Sequence, residues 1–96
     1  MDILVTYDVN TQTSEGRRRL RKIAIACQSY GQRVQLSVFE CRLRQNQLEA
    51  FEAKLLKILD EKEDSLRIYV LKSGRDKVLK VYGLDHYRDF DDPLVL

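Results

Sequence analysis

Three features of this chain predict an α+β fold. Short runs rich in Val, Ile and Tyr alternate with two stretches of helical apolar spacing. The order reads strand, helix, strand, strand, helix, strand. Such a set buries its apolar surfaces by laying two helices on one face of an antiparallel sheet, the ferredoxin-like arrangement βαββαβ. The 96 residues make one domain. The βαββαβ part spans residues 1–72, and residues 73–96 form a tail.

Residues 2–9 read as the first strand, with no breaker inside the run Ile3-Leu4-Val5-Thr6-Tyr7. Residues 10–13 are a loop. Ser14 is the expected N-cap of a helix over residues 15–30, with Glu15 in its first turn, where the helix dipole favours an anion. Leu20, Ile23, Ala24, Cys27 and Tyr30 fall on one face of that helix. Arg18, Arg21 and Lys22 fall opposite, flanked by Arg17 and Arg19. Ile25 points to the basic side without an evident role. Gly31 ends the helix.

Residues 33–43 alternate, but the apolar phase changes. Val34, Leu36 and Val38 share one face, whereas Cys41 and Leu43 would share the other. A bulge or bend near Phe39-Glu40 brings both sets inward, so two strands joined by a tight connection are expected. The second helix spans 45–59, with Leu48, Phe51, Leu55, Ile58 and Leu59 as its apolar stripe. Residues 60–64 form a charged turn. Residues 65–71 form a strand with Leu66, Ile68 and Val70 on one face. In the tail, 78–81 is a short strand or turn. The apolar end Pro93-Leu94-Val95-Leu96 is suited to dock on a sheet edge, including that of a second copy.

Composition narrows the function. Apolar residues make up 44% and charged residues 33%, as in a globular protein. No apolar run approaches the roughly 18 residues that a membrane helix needs. The opening residues lack the basic stretch and cleavage site of a secretory leader. A cytoplasmic protein with no membrane partner is expected. Cys27 and Cys41 have neither CxxC spacing nor nearby histidines, which argues for buried thiols and against a zinc site. The net charge of +2 conceals an uneven distribution: residues 17–22 carry five positive charges, and residues 85–92 carry Asp85, Asp89, Asp91 and Asp92.

Four groups could carry chemistry. Asp8 ends the first strand, where a carboxylate is either a hard oxygen ligand for Mg²⁺ or the cap of a turn. One aspartate makes a poor metal site, and two copies paired across a two-fold axis make a better one. The run Arg17 to Lys22 either forks phosphates or is a solvated helix face. Arg33, Gln35, Ser37 and Phe39 line one strand face, open to water, to stacked bases or to a second protomer. Asp85, His86 and the aspartates after them match no metal loop and read as a solvated acidic segment.

Together, several of these stretches resemble one family. They are Tyr7-Asp8-Val9, the helix start Gly16 to Lys22, Tyr30-Gly31-Gln32-Arg33-Val34-Gln35, Ser37-Val38-Phe39-Glu40, Ser65-Leu66-Arg67-Ile68-Tyr69 and Asp92-Pro93-Leu94. In this order they resemble the CRISPR-associated protein two family, the small subunit of the spacer-acquisition machinery, over nearly the whole chain. Leu36 departs from the tyrosine or asparagine of many relatives.

The resemblance implies a ferredoxin-like homodimer whose C-terminal strand, here Pro93, Leu94 and Val95, crosses to the partner's sheet. It implies Tyr7, Ser37 and Phe39 as motif and dimer positions. Asp8 would be the catalytic metal ligand, paired across the two-fold axis and holding Mg²⁺ or Mn²⁺. It implies cleavage of single-stranded RNA or double-stranded DNA, and a role in bridging integrase subunits while holding DNA. Arg17, Arg18, Arg19, Arg21, Lys22 and Arg33 are the residues expected to hold nucleic acid. A toxin-type ribonuclease of the same fold is the alternative.

Overall fold

The computed structural model describes residues 1–71. The expectations for 78–81, Asp85, His86, Asp89 to Asp92 and Pro93 to Leu96 lie outside the described residues. The described part is a mixed α+β domain of four strands and two helices: β1 (Asp2–Asp8), α1 (Ser14–Tyr30), β2 (Gly31–Gln35), β3 (Val38–Arg42), α2 (Gln45–Ile58) and β4 (Ser65–Leu71). The sheet order is β2-β3-β1-β4, and every neighbouring pair is antiparallel.

Strand periodicity explains how β1 comes to lie at the centre. Successive side chains alternate between faces, so Ile3, Val5 and Tyr7 are buried while Leu4 and Thr6 are half-buried on the other face. Ile3, Val5 and Tyr7 join Phe39, Cys41 and Leu43 in one core. The same core takes Ile23, Ala26 and Cys27 from α1 and Leu48, Phe51 and Leu55 from α2, so both helices cover one face of the sheet. Tyr30 stacks on Phe51 with ring centres 4.6 Å apart, which ties the end of α1 to the middle of α2. No helix among the described residues is long and apolar enough to cross a membrane.

Local expectations shift in several places. Thr13, not Ser14, caps α1: its hydroxyl oxygen accepts the Gly16 N–H at 3.0 Å, while Ser14 is the first helical residue. Gly31 follows α1 as expected, but its backbone is extended. Glycine is required there by crowding, because a Cβ would run into the Cys41 Sγ and the Glu40 carbonyl. Within α1, Ala26 is buried and Ala24 only half-buried.

The largest correction concerns the β2–β3 hairpin. The register shift lies between Arg33 and Gln35, not near Phe39-Glu40. The chain reverses at Leu36 and Ser37, so Leu36 sits on the tip and is 84% exposed rather than inward. β3 then keeps a single phase, and Phe39, Cys41 and Leu43 all point to the core. Phe39 is thus part of the interior, not of an open face. On β4, Leu66 and Ile68 are half-buried, while Val70 on the same face is exposed.

Candidate functional site

Asp8 is the last residue of β1, and the burial pattern of that strand ends with it exposed. It lies opposite Ser65, the first residue of β4. At Asp8 the backbone is paired on the β4 side, through Ser65, while on the β3 side the pairing ends at Thr6 opposite Val38 and the Tyr7 N–H reaches the Ser37 carbonyl. The carboxylate therefore projects from a rigid element rather than from a free loop.

Tyr7 and Asp8, adjacent in sequence, take opposite roles because strand side chains alternate. The Tyr7 ring is buried and stacks against Phe39 with centroids 6.2 Å apart. Its hydroxyl donates to the Leu36 carbonyl at 3.4 Å, and its N–H donates to the Ser37 carbonyl at 3.1 Å. The Arg33 guanidinium lies 5.1 Å from the Phe39 ring centre, a cation–π contact that closes this cluster at the sheet edge. Burial raises the Tyr7 phenol above its ordinary value, although Arg33 pulls in the other direction. Tyr7 is thus a protonated core tyrosine at neutral pH, unsuited to act as a base. Tyr7, Phe39 and Ser37 anchor the hairpin beside the strand that carries Asp8.

The basic run on α1 divides into two kinds. Arg17, Arg18, Arg21 and Lys22 are exposed. Arg17 Nη1 also donates to the Thr11 carbonyl at 3.1 Å. Arg19 is different, with only 18% of its side chain exposed. It is paired with Asp64, its Nε 2.7 Å from Oδ2 and its Nη2 3.2 Å from Oδ1. Arg33 is exposed apart from its contact with Phe39. The sequence pattern does not separate Arg19 from its neighbours, because its partner lies 45 residues away.

Asp64 is the residue that sequence reasoning misses, since it reads as part of a charged turn. Its side chain has no exposed area. Burial alone would raise its pKa, but Arg19 and the N–H groups of Asp60 and Asn10 outweigh burial and hold the carboxyl below its ordinary value. No local pattern marks it, because its partners Asn10 and Arg19 lie 54 and 45 residues away.

A metal would find limited protein ligation here. Among the described residues, no group of three or more His, Cys, Asp or Glu side chains gathers to hold an ion. Asp8 offers one exposed hard-oxygen donor. That donor suits Mg²⁺ or Mn²⁺, which take carboxylate oxygen and keep several waters. It does not suit zinc, and both cysteine thiols are buried, with their pKa pushed up to about 12 by burial.

These features define a class: a small mixed α+β domain with a four-strand antiparallel sheet, a strand-end carboxylate and a basic helix. The sequence matches the family described as CRISPR associated protein Cas2 over residues 1–78. The chain belongs to that family. It is 52% identical over 96 residues, covering all of both chains, to a Moorella thermoacetica protein named CRISPR-associated endoribonuclease Cas2 1. It is 46% identical over 95 residues, 99% of each chain, to the Halalkalibacterium halodurans protein named CRISPR-associated endonuclease Cas2. The crystal structure of Streptococcus pyogenes Cas2 at pH 6.5 superposes with a TM-score of 0.77 at 47% identity, covering 86% of this chain and all of that one.

Proposed function

We propose that this protein is a metal-dependent endonuclease that acts as a homodimer in CRISPR spacer acquisition. The observation that carries the reading is Asp8, exposed at the end of the inner strand β1 and paired there with Ser65 of β4. Names of relatives as endoribonuclease or endonuclease support the phosphodiester chemistry. The element order βαββαβ and the sheet order β2-β3-β1-β4 support reading residues 1–72 as ferredoxin-like. The segment 73–96 then supplies a strand, with Pro93, Leu94 and Val95, to the partner protomer.

In the dimer, the two Asp8 carboxylates would be the residues that hold Mg²⁺ or Mn²⁺. When bound, the ion supplies Lewis-acid activation of the phosphoryl group and an acidified water. The protein's own part is to hold and orient. Asp8 would hold the ion from the end of β1. Arg17, Arg18, Arg21, Lys22 and Arg33 hold the phosphates of double-stranded DNA or single-stranded RNA. Arg19 is committed to Asp64 and has a structural part in this scheme. The same basic surface lets the dimer carry DNA while it bridges integrase subunits in the cytoplasm.

The test is cleavage of duplex DNA and of single-stranded RNA by the wild type and by Asp8→Asn, with Mg²⁺, with Mn²⁺ and with chelator. Metal-dependent cleavage that disappears in the variant is expected. Equal cleavage by both proteins removes Asp8 from the chemistry and leaves a DNA-binding scaffold.

A further inference from the structure

Asp64 gathers four donors onto one carboxylate. Its Oδ1 accepts the Asn10 N–H at 3.1 Å and Arg19 Nη2 at 3.2 Å. Its Oδ2 accepts Arg19 Nε at 2.7 Å and the Asp60 N–H at 3.0 Å. These donors come from three places in the chain: the loop after β1, helix α1, and the turn between α2 and β4. A carboxylate so surrounded is a junction, and its shortest bond, from Arg19 Nε at 2.7 Å, has the length of the strong charge-assisted kind.

The junction lies on both sides of Asp8. Asn10 is two residues after Asp8 along the chain. Asp64 precedes Ser65, the residue opposite Asp8 in the sheet. Two further contacts hold the same loop. Asn10 Nδ2 donates to Glu63 Oε2 at 2.8 Å. The Asn10 carbonyl approaches α1 so closely that a Cβ on Gly16 would collide with it. The backbone around Asp8 is thus fixed from the loop side and from the β4 side, through one buried group.

We propose that Asp64 is a positioning residue for Asp8: its carboxylate, clamped by Arg19, Asn10 and Asp60, sets the backbone that aims Asp8 at a divalent metal. This inference rests on the reading of Asp8 as a metal ligand. Asp64 touches neither ion nor substrate. A ligand held by a fixed support binds more tightly than a free one because less order is lost on binding. Groups hydrogen-bonded directly to metal ligands are typically worth about ten- to a hundredfold in affinity, and Asp64, which acts through the backbone, is expected at the lower end of that range.

The experiment titrates Mn²⁺ alone, followed by the electron-spin signal of free ion, into the wild type, Asp8→Asn, Asp64→Asn and the double variant Arg19→Met/Asp64→Asn. Each protein is measured well below its own unfolding temperature. The double variant avoids leaving the Arg19 charge unpaired should Asp64→Asn alone fold poorly. Binding by the wild type that is lost in Asp8→Asn upholds the parent reading, and its absence in the wild type sinks that reading instead. With wild-type binding in hand, a Kd raised about tenfold or more at unchanged stoichiometry is the expected result for the Asp64 variants. An unchanged Kd, at full or reduced stoichiometry, overturns the proposal, because a merely structural loss lowers the number of competent sites and not their affinity.

Discussion

Asp8 and Tyr7 are neighbours with opposite fates, and the alternation of a strand is the whole reason. Tyr7 faces the core and stacks on Phe39, while Asp8 ends the strand in solvent. The cysteines follow the same logic of burial. Cys27 and Cys41 are enclosed and uncharged, with pKa pushed up to about 12 by desolvation. Since the thiolate is the reactive form, both should resist a thiol reagent at neutral pH in the folded protein and react once it is unfolded in denaturant. Rapid labelling of either thiol in the native state would contradict the packing described for α1 and β3. Gly31 makes the same point without charge: it is small because Cys41 and Glu40 leave no room for a side chain.

At the level of elements, α1 carries two kinds of arginine that look alike in sequence. Arg18 and Arg21 are exposed, whereas Arg19 is drawn down to Asp64. Alanine at Arg18 and Arg21 should weaken duplex DNA binding and reduce its salt slope by about 1 for each phosphate left without its arginine. Alanine at Arg19 should leave that slope unchanged and instead lower the unfolding temperature, by taking the ion-pair partner from the Asp64 carboxylate. Fluorescence binding at several salt concentrations, beside thermal unfolding, separates the two outcomes.

The acid limb of stability belongs to the same junction. The Asp64 carboxyl is depressed in the folded state, so its contribution is fully present above its unfolded value, near 3.8, and is lost as pH falls through the folded value. The wild type should therefore lose its advantage over Asp64→Asn as the pH drops from about 5 towards about 2. A gap in unfolding temperature that stays constant over that range would rule Asp64 out as the titrating group.

Helix and strand order are legible because periodicity alone places them. Leu48, Phe51 and Leu55 mark α2 without ambiguity, and Ile3, Val5 and Tyr7 mark β1. The hairpin misleads because Leu36 looks like a core residue and lies on the turn. No Gly or Asn marks that reversal, so alternation alone puts the phase change at Phe39 instead. Asp8 can be picked out because it ends a strand. Asp64 cannot, because its partners Arg19 and Asn10 are distant in sequence and come together only in the fold.

For the molecule as a whole, Asp8 is the exposed carboxylate that the described residues bring to the candidate site, and metal chemistry asks for more ligands. Among the described residues no group of three or more His, Cys, Asp or Glu side chains gathers to hold an ion. A second copy is the economical source, since a two-fold axis turns one aspartate into two. Family membership and the superposition on a Cas2 crystal structure set the chain among proteins named as nucleases. The central claim therefore concerns an assembly: two Asp8 side chains share one ion. The most direct measurement is anomalous X-ray scattering from crystals of the wild type grown with Mn²⁺. A single strong peak is expected within coordination distance of Asp8 carboxylates from two copies of the chain. A peak elsewhere, or no peak at Asp8 at saturating Mn²⁺, would contradict the shared site.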